Sequence, residues 1–265
     1  ILIIVNKKIQ ALLEILDTKA IYPVFQPIVD LENGNVVAYE SLSRIESKKL
    51  DINIEELFQV AEACGCAWKL EKLCRYKALK TSMNKPSGTK IFLNVDGQIF
   101  QDSNFISGFT NRKLEKFGLL NEDIVFEITE RTDIENYVLL QAIMNHYIDQ
   151  GYQIALDDVG AGYSGLNRVV NTTPNYLKAD IELVRNIHLS KSKQSMMKLL
   201  VEYCDEMGLK LIAEGIETQE ELECICNLHV HYGQGYYLGI PDCKFNGVSS
   251  QALQYLMNIH GMIKT

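Results

Sequence analysis

The feature that most constrains the fold is a regular alternation of short strand-like runs with longer helical patterns. Eight runs rich in β-branched and aromatic residues occupy positions 22–31, 35–42, 90–95, 123–129, 152–158, 175–180, 210–216 and 231–239. Helical periodicity fills positions 54–82, 138–150 and 192–207, and a further helix is predicted after Thr218, with Glu221 completing a capping box. This alternation over 265 residues predicts an α/β fold, a TIM-like (β/α)8 barrel.

The first two strand-like runs are joined without a helix. The connecting segment Glu32-Asn33-Gly34-Asn35 contains Asn-Gly, the strongest short-range signal for a β-hairpin. We therefore expect an irregular antiparallel hairpin in place of the first βα unit. Residues 1–20 are predicted to be an N-terminal helix or a linker from an upstream region, and residues 21–265 to be one barrel domain, because no Pro/Gly/Ser-rich stretch divides them.

Polar side chains stand where the strand-like runs end. In a barrel these ends meet at one mouth, and catalytic residues come from them. The residues are Glu40, Asn94, Glu127, Asp157, Asp158, Lys178, Glu214 and Gln234. A single carboxylate at a strand end is more often a helix cap or a solvated loop residue, but a converging set repels itself unless a cation neutralises it. Oxygen-rich sites of this kind suit Mg²⁺ or Mn²⁺, and the adjacent Asp157 and Asp158 suggest two ions.

Two such ions would favour displacement at phosphorus, because they stabilise both the attacking and the leaving oxygen. Lys178 could orient the attacking water or screen the developing charge, and a salt bridge within the acidic cluster is an equally good interpretation. The strand ends therefore indicate a metal-dependent hydrolase of phosphodiesters.

A G-x-G-x-x-G pattern at Gly160, Gly162 and Gly165 resembles a dinucleotide-binding fingerprint. That site would hold a pyrophosphate, and two ionised aspartates directly before the loop would repel the anion. The pattern also follows four earlier strands, whereas the fingerprint normally belongs to the first βα turn. We therefore disfavour a dinucleotide fold.

The net charge and the cysteine content indicate which binding partners and which cellular compartment to expect. The net charge of -8 argues against a protein whose main partner is polymeric nucleic acid and is compatible with cation binding. Seven cysteines without a regular framework are typical of a reducing cytosol, and the initial ILIIV is too short to span a bilayer. We expect a cytoplasmic domain without a membrane segment, within a protein that could be anchored to the membrane elsewhere.

Eight short motifs occur in a fixed order between Tyr22 and Pro241. They are Gln26-Pro27-Ile28, Glu40-Ser41-Leu42 followed by Arg44, Phe92-Leu93-Asn94-Val95, Glu127-Ile128-Thr129-Glu130, Asp157-Asp158-Val159-Gly160-Ala161-Gly162-Tyr163-Ser164, Leu177-Lys178-Ala179-Asp180, Ala213-Glu214-Gly215-Ile216-Glu217-Thr218 and Gln234-Gly235-Tyr236. In this order they resemble the EAL family of cyclic-di-GMP phosphodiesterases, whose naming motif Glu-Ala-Leu is Glu-Ser-Leu here.

The resemblance implies a role for each matching residue. The first metal would be held by Glu40, Asn94, Glu127 and Asp157, and the second by Asp157 and Asp158. Lys178 would contact the catalytic water, Glu214 would be the base or a metal-site partner, Glu217 would support the site, and Glu130 would hold the glycine-containing loop. Arg44 would grip a substrate phosphate, Gln26 and Leu42 would touch the dinucleotide, and Gln234 would line the pocket.

The resemblance also implies a product, partners and an alternative function. It implies linear pGpG as the product, a homodimer, and an upstream sensory or cyclase domain. Ser41 in place of Ala leaves the metal ligands intact, whereas Val159 and Ala161 replace Phe and Thr in a loop that links the metal site to the family's dimer interface. Those two changes bear on turnover and regulation. The alternative is a weak or inactive receptor of the same fold, but inactive members usually lose metal ligands and this chain keeps them.

Overall fold

The eight predicted strands close into a barrel in sequence order. The computed structural model describes residues 2–46, 50–96, 102, 105–128, 137–159 and 168–259. The strands are β1 Ile21–Asp30, β2 Val36–Ile45, β3 Lys90–Val95, β4 Ile124–Ile128, β5 Gln153–Val159, β6 Tyr176–Ala179, β7 Lys210–Ala213 and β8 Tyr232–Gly233. Strand β1 is antiparallel to both β2 and β8, and the other neighbours are parallel. The TIM-like barrel and its irregular first hairpin are confirmed.

The hairpin forms where the Asn-Gly pair predicts it. Gly34 has a φ of 72°, which is costly for a residue with a Cβ, and the Asn33 side chain accepts a hydrogen bond from the Asn35 backbone at 2.9 Å. The pairing register runs from Ile21 opposite Ile45 inward to the turn. The hairpin therefore places the whole of β2, with Glu40 and Arg44, beside β1.

Helices cover the outside of the barrel. Those in the described part of the chain include α1 Leu2–Thr18, α2 Ile54–Ala63, α3 Ala67–Thr81, α4 Phe109–Phe117, α5 Tyr137–Ile148, α6 Ile181–Val184, α7 Lys191–Met207, α8 Gln219–Asn227 and α9 Ser250–Ile259. The expected single helix over residues 54–82 is wrong: it is divided into α2 and α3 because Gly65 takes a left-handed φ of 65°. The capping box of Thr218 and Glu221 is confirmed at the start of α8.

An apolar layer fills the interior of the barrel. Seven successive strands each contribute one residue to it, namely Ile28, Ala38, Phe92, Val125, Ala155, Tyr176 and Ile212. The rings of Phe92 and Tyr176 meet edge to face, with centroids 5.2 Å apart. Because strand side chains alternate, the residue two positions nearer the mouth also points inward, directly above this apolar floor.

None of the helices in the residues that the structure describes is long and apolar enough to cross a membrane.

Candidate active site

Polar residues form a second interior layer above the apolar floor. Each lies two positions nearer the mouth than an apolar residue of a barrel strand, and Glu214 stands one residue beyond the end of β7. The layer consists of Gln26, Glu40, Asn94, Glu127, Asp157, Lys178 and Glu214, and on β8 Gln234 stands two residues beyond Tyr232. The period-two alternation of the strands thus accounts for the convergence of these side chains at one mouth.

Lys178 lies at the centre of the polar layer. Its Nζ is 2.6 Å from Glu214 Oε1 and 2.7 Å from Glu127 Oε1, and it lies 3.5 Å from Glu40 Oε2 and 3.6 Å from Asp157 Oδ1. The side chains of Lys178 and Glu127 are each only 1% exposed. One buried ammonium therefore faces four carboxylates, and the cluster keeps an excess of negative charge.

A bulge in β5 brings two adjacent aspartates to the same place. Leu156 pairs with Leu177 and Val159 with Ala179, so two residues of β5, Asp157 and Asp158, oppose the single residue Lys178 of β6. Asp158 has a left-handed φ of 56°, an uncommon conformation for a residue other than glycine. Adjacent strand residues would otherwise point to opposite faces, and here both carboxylates face the mouth.

A chain of amides holds Glu40 from the other side. Asn94 Nδ2 donates to Glu40 Oε1 at 3.0 Å and Gln234 Nε2 donates to Glu40 Oε2 at 2.6 Å. Gln234 Nε2 also donates to Gln26 Oε1 at 3.1 Å, and Gln26 Nε2 donates to the carbonyl of Gly239 at 3.1 Å. Both oxygens of Glu40 are therefore oriented by neutral donors, which leaves its charge available to a cation.

The turn after Gln234 requires glycine. A Cβ on Gly235 would lie 2.2 Å from the backbone nitrogen of Ile216, closer than any real contact. The Ile216 backbone N–H donates to the Gln234 carbonyl at 3.0 Å across this approach. Gly235 therefore allows the segment that carries Gln234 to pack against the segment that follows Glu214.

The electrostatics of the cluster follow from burial and crowding. Desolvation, followed by the Glu40 charge, raises the pKa of Glu127 well above its ordinary value, and desolvation also raises the pKa of Glu214 well above its ordinary value. Desolvation alone would lower the pKa of Lys178, but the carboxylates led by Asp157 raise it. Desolvation alone would raise the pKa of Asp157, but the charge of Lys178 and the hydrogen bonds to the carboxyl group together lower it.

The donor set fits divalent cations with a preference for oxygen. Glu127 Oε2 and Asp157 Oδ1 are buried and accept no hydrogen bond from the residues that the structure describes. Ligand atoms of Asp157, Asp158 and Glu214 all lie within 4.8 Å of one another. Buried acceptors without a donor are rare because they cost free energy, and a bound cation would satisfy them.

Two cavities flank the carboxylates. The larger, of about 460 Å³, reaches from Asp157 and Asp158 to Arg44 and to the faces of α2 and α3. The smaller, of about 330 Å³, contains Lys178, Glu127, Glu214, Gln26 and Gln234 among its lining residues. Glu40, Leu42, Asp157 and Asp158 line both. An elongated ligand could therefore place its centre at the carboxylates and one end in each cavity.

The sequence-predicted site residues divide into three groups. Those brought together at the mouth are Gln26, Glu40, Asn94, Glu127, Asp157, Asp158, Lys178, Glu214 and Gln234. Leu42, Arg44 and Glu217 line the cavities at greater distance, and Glu217 is exposed. Glu130, Ala161 and the glycines Gly160, Gly162 and Gly165 lie outside the described residues.

The larger cavity also has lining residues that no motif indicated. Glu71 and Arg75 of α3 are 4% and 5% exposed, and Arg75 donates to Glu71 and, at 3.2 Å, to Thr110 Oγ1. The Arg75 guanidinium lies 4.9 Å from the Phe126 ring centroid. An acidic and a basic residue four positions apart on a helix usually form an exposed pair, so the sequence pattern gave no signal that Glu71 and Arg75 are buried.

Glu71 should make the stability of the protein depend on pH. Burial, opposed by Arg75, raises its pKa to about 7, so its contribution is fully present below the unfolded-state value near 4.5 and is lost as the pH rises through about 7. In a chelating buffer, the free energy of unfolding of the unmodified chain minus that of Glu71→Gln should fall by about 3 kcal/mol between pH 4.5 and 8.5. Urea unfolding measures it, and a difference that does not change with pH would contradict it.

Comparisons with known proteins agree with this geometry. The model of the EAL domain family matches residues 9–241. Probable cyclic di-GMP phosphodiesterase PdeG of Escherichia coli K12 is 26% identical over 227 residues, which is 83% of this chain and 44% of that protein. The chain thus spans less than half the length of this curated relative.

Two solved structures share the fold. A Klebsiella pneumoniae BlrP1 calcium/cyclic-di-GMP complex has a TM-score of 0.78 and 26% identity over 86% of this chain and 58% of that one. A standalone EAL protein of Vibrio cholerae O395 with bound cyclic-di-GMP has a TM-score of 0.75 and 26% identity over 88% of this chain and 97% of that one.

Proposed function

The chain belongs to the EAL domain family, and on that premise we propose that it is a metal-dependent phosphodiesterase that hydrolyses cyclic-di-GMP to linear pGpG. The observation that carries the proposal is the full set of acidic and amide side chains around Lys178, at a mouth between two cavities. An inactive receptor would not need buried carboxylate oxygens without hydrogen-bond donors, as found on Glu127 and Asp157.

The proposed metal ligands are residues whose side-chain oxygens converge at the mouth. Glu40, Asn94, Glu127 and Asp157 would hold one ion, and Asp157 with Asp158 would hold a second. The proximity of the Asp157, Asp158 and Glu214 ligand atoms supports this assignment, as do the calcium and manganese complexes of BlrP1. Bound Mg²⁺ or Mn²⁺ would supply charge stabilisation at the attacking and leaving oxygens of the phosphodiester.

Lys178 and Glu214 would handle the attacking water. The water oxygen forms a bond to phosphorus and the bond from phosphorus to the 3′ oxygen breaks, which leaves pGpG with a 5′ phosphate. The raised pKa of Glu214 suits it to accept the water proton, and Lys178 Nζ, 2.6 Å from Glu214 Oε1, would orient that water by donating to it. Glu217, at the edge of the smaller cavity, would support Glu214, and Glu130 would hold the glycine-containing loop.

The substrate would lie across both cavities. Arg44 in the larger cavity would bind a phosphate oxygen, and Leu42, which lines both cavities, would pack against the dinucleotide. Gln26 and Gln234 would contact it from the smaller cavity. Gln26 already forms hydrogen bonds with the Gly239 carbonyl and with Gln234. Contact between Gln26 and the substrate therefore requires one of these hydrogen bonds to be exchanged.

Hydrolysis of cyclic-di-GMP with Mg²⁺ or Mn²⁺, followed by chromatography of pGpG, tests the proposal. The expected result is metal-dependent turnover that a chelator stops and that Glu40→Ala abolishes. Tight binding of cyclic-di-GMP without turnover by the unmodified chain would reject the enzyme hypothesis and support the alternative, a receptor of the same fold. Neither binding nor turnover would reject both.

Arg44→Ala should weaken substrate binding without weakening metal binding. Loss of a guanidinium that contacts a phosphate removes a charge-assisted hydrogen bond, so KM should rise about tenfold or more. Calorimetric titration with Mn²⁺ alone should give the unmodified affinity, because Arg44 is not among the metal ligands. Equal affinity for cyclic-di-GMP in both proteins would refute the role of Arg44.

The remaining features of the proposal concern the whole protein. We propose residues 1–20 as a helix that leads from an upstream sensory or cyclase region, and residues 21–265 as the phosphodiesterase barrel. We also propose a homodimer in the cytoplasm. The greater length of PdeG supports a further region in the whole protein, and the mass of the native protein would reveal it.

A further inference from the structure

Helix α1 shares a hydrophobic core with α2 and α3. Leu12 and Ile15 are 1% and 0% exposed and belong to a cluster distinct from the main core. Its buried members are Ala11, Leu12, Ile15, Ile21, Ile52, Leu57, Ala61, Leu70 and Cys74. We name this cluster the outer core.

The outer core is also the support of the larger cavity. Ile54 and Phe58 of α2 pack against it and Cys74 of α3 belongs to it, and these three residues line the cavity. Arg44, Asp157 and Asp158 line the same cavity. The outer core that α1 helps to form therefore reaches the wall of the space opposite the proposed metal-binding carboxylates.

A polar contact fixes the same pair of helices. Lys8 Nζ of α1 lies 2.7 Å from Glu56 Oε1 of α2, and the Glu56 side chain also accepts from the Asn53 backbone N–H in the capping box that begins α2. The start of α2, where Ile54 and Phe58 face the cavity, is therefore bound to α1 by both apolar and charged contacts.

We propose that Leu12 and Ile15 are positioning residues for the substrate: by holding α2 against the larger cavity, α1 sets substrate affinity without contact with the carboxylates. The inference rests on the proposed function. In a close-packed interior, a displaced side chain displaces its neighbours. A void beneath α2 would therefore shift the side of α2 that carries Phe58. Asn94, Glu127, Asp157 and Asp158 stand on β3, β4 and β5, from which no described residue belongs to the outer core. Glu40 stands on β2, where Ile45, five positions away, packs against the outer core. We therefore expect metal binding to stay unchanged.

The test is steady-state hydrolysis of cyclic-di-GMP with Mn²⁺ by Leu12→Ala. We expect KM to rise about tenfold, kcat to stay within about twofold, and the calorimetric affinity for Mn²⁺ alone to stay unchanged. Leu12→Met, which restores the volume, should recover KM. Leu256→Ala in α9 is the matched control: Leu256 is also 1% exposed but lies in the main core and lines neither described cavity, so its KM should equal that of the unmodified chain.

A double substitution shows whether α1 acts through Phe58. The effect of Leu12→Ala on KM should shrink when Phe58→Leu is already present, because both act on the same wall. Additive effects, or a KM for Leu12→Ala equal to that of the unmodified chain, would overturn the inference.

If the unmodified chain neither binds nor hydrolyses cyclic-di-GMP, the proposed function fails instead. Hydrogen exchange over residues 54–63 then decides the structural part: faster exchange in Leu12→Ala supports it, and equal exchange overturns it.

Discussion

We expect Asp157→Asn to lower the proposed turnover of cyclic-di-GMP at least about a thousandfold. Asp157 is the residue proposed to serve both ions, and its Oδ1 is buried without a hydrogen-bond donor. An amide oxygen of the same shape carries no full charge and cannot replace a carboxylate between two cations. Loss of about 4 kcal/mol of charge stabilisation in the transition state corresponds to that factor.

The measurement is pGpG formation at saturating Mn²⁺, with a calorimetric titration of Mn²⁺ in parallel. Asp205→Asn is the matched control, because Asp205 is 63% exposed and its side chain contacts the His231 ring at 2.9 Å, away from the mouth. The control should retain full turnover. If Asp157→Asn retained a tenth of the activity, Asp157 could not be the shared ligand.

We expect Lys178→Met to destabilise the metal-free protein by about 3–5 kcal/mol, the cost of removing one partner from a buried ion pair. The variant leaves Glu127 and Glu214 facing each other without the ammonium that both now contact at 2.7 and 2.6 Å. Their folded-state pKa values are already raised and would rise further. A raised folded pKa gives stability below the unfolded value that is lost as the pH rises, so the deficit grows toward alkaline pH.

Urea unfolding in chelator and in Mn²⁺, at pH 6 and at pH 8, measures the effect. Mn²⁺ should stabilise Lys178→Met more than the unmodified chain, because the ion takes over the role of the missing charge. Lys191→Met, at the exposed start of α7, should match the unmodified chain under every condition. Equal stability of Lys178→Met and the unmodified chain in chelator at pH 8 would show that the ammonium does not offset the negative charge of the carboxylates. The variant should also lose hydrolysis if Lys178 orients the water.

Much of the polar layer was predictable because two local rules determine it. Side chains alternate along a strand, and parallel strands end at the same mouth, so Glu127 and Lys178 had to meet above Val125 and Tyr176. No local rule gave the bulge that brings Asp158 beside Asp157, because it depends on pairing between β5 and β6. The sequence pattern alone leaves the direction of Asp158 undetermined.

The wall of the larger cavity was less predictable for a different reason. The helical pattern continues through Gly65, and a glycine inside a helical pattern lowers the propensity without showing that the chain turns there. The burial of Glu71 and Arg75 depends on α4 and α5 closing over α3, which the periodicity of α3 does not encode. Contacts between elements, rather than propensity, decide both features.

If the proposed metal site is correct, the shortness of β8 links the closure of the barrel to metal retention. Tyr232 and Gly233 are the only residues of this strand, and they pair with Asp30 and Val29 on one side and with Ile212 and Ala213 on the other. The next residue, Gln234, donates to Glu40. Transient separation at this seam would withdraw the amide that orients Glu40, a proposed metal ligand, so ion release and local opening of the barrel would share one barrier.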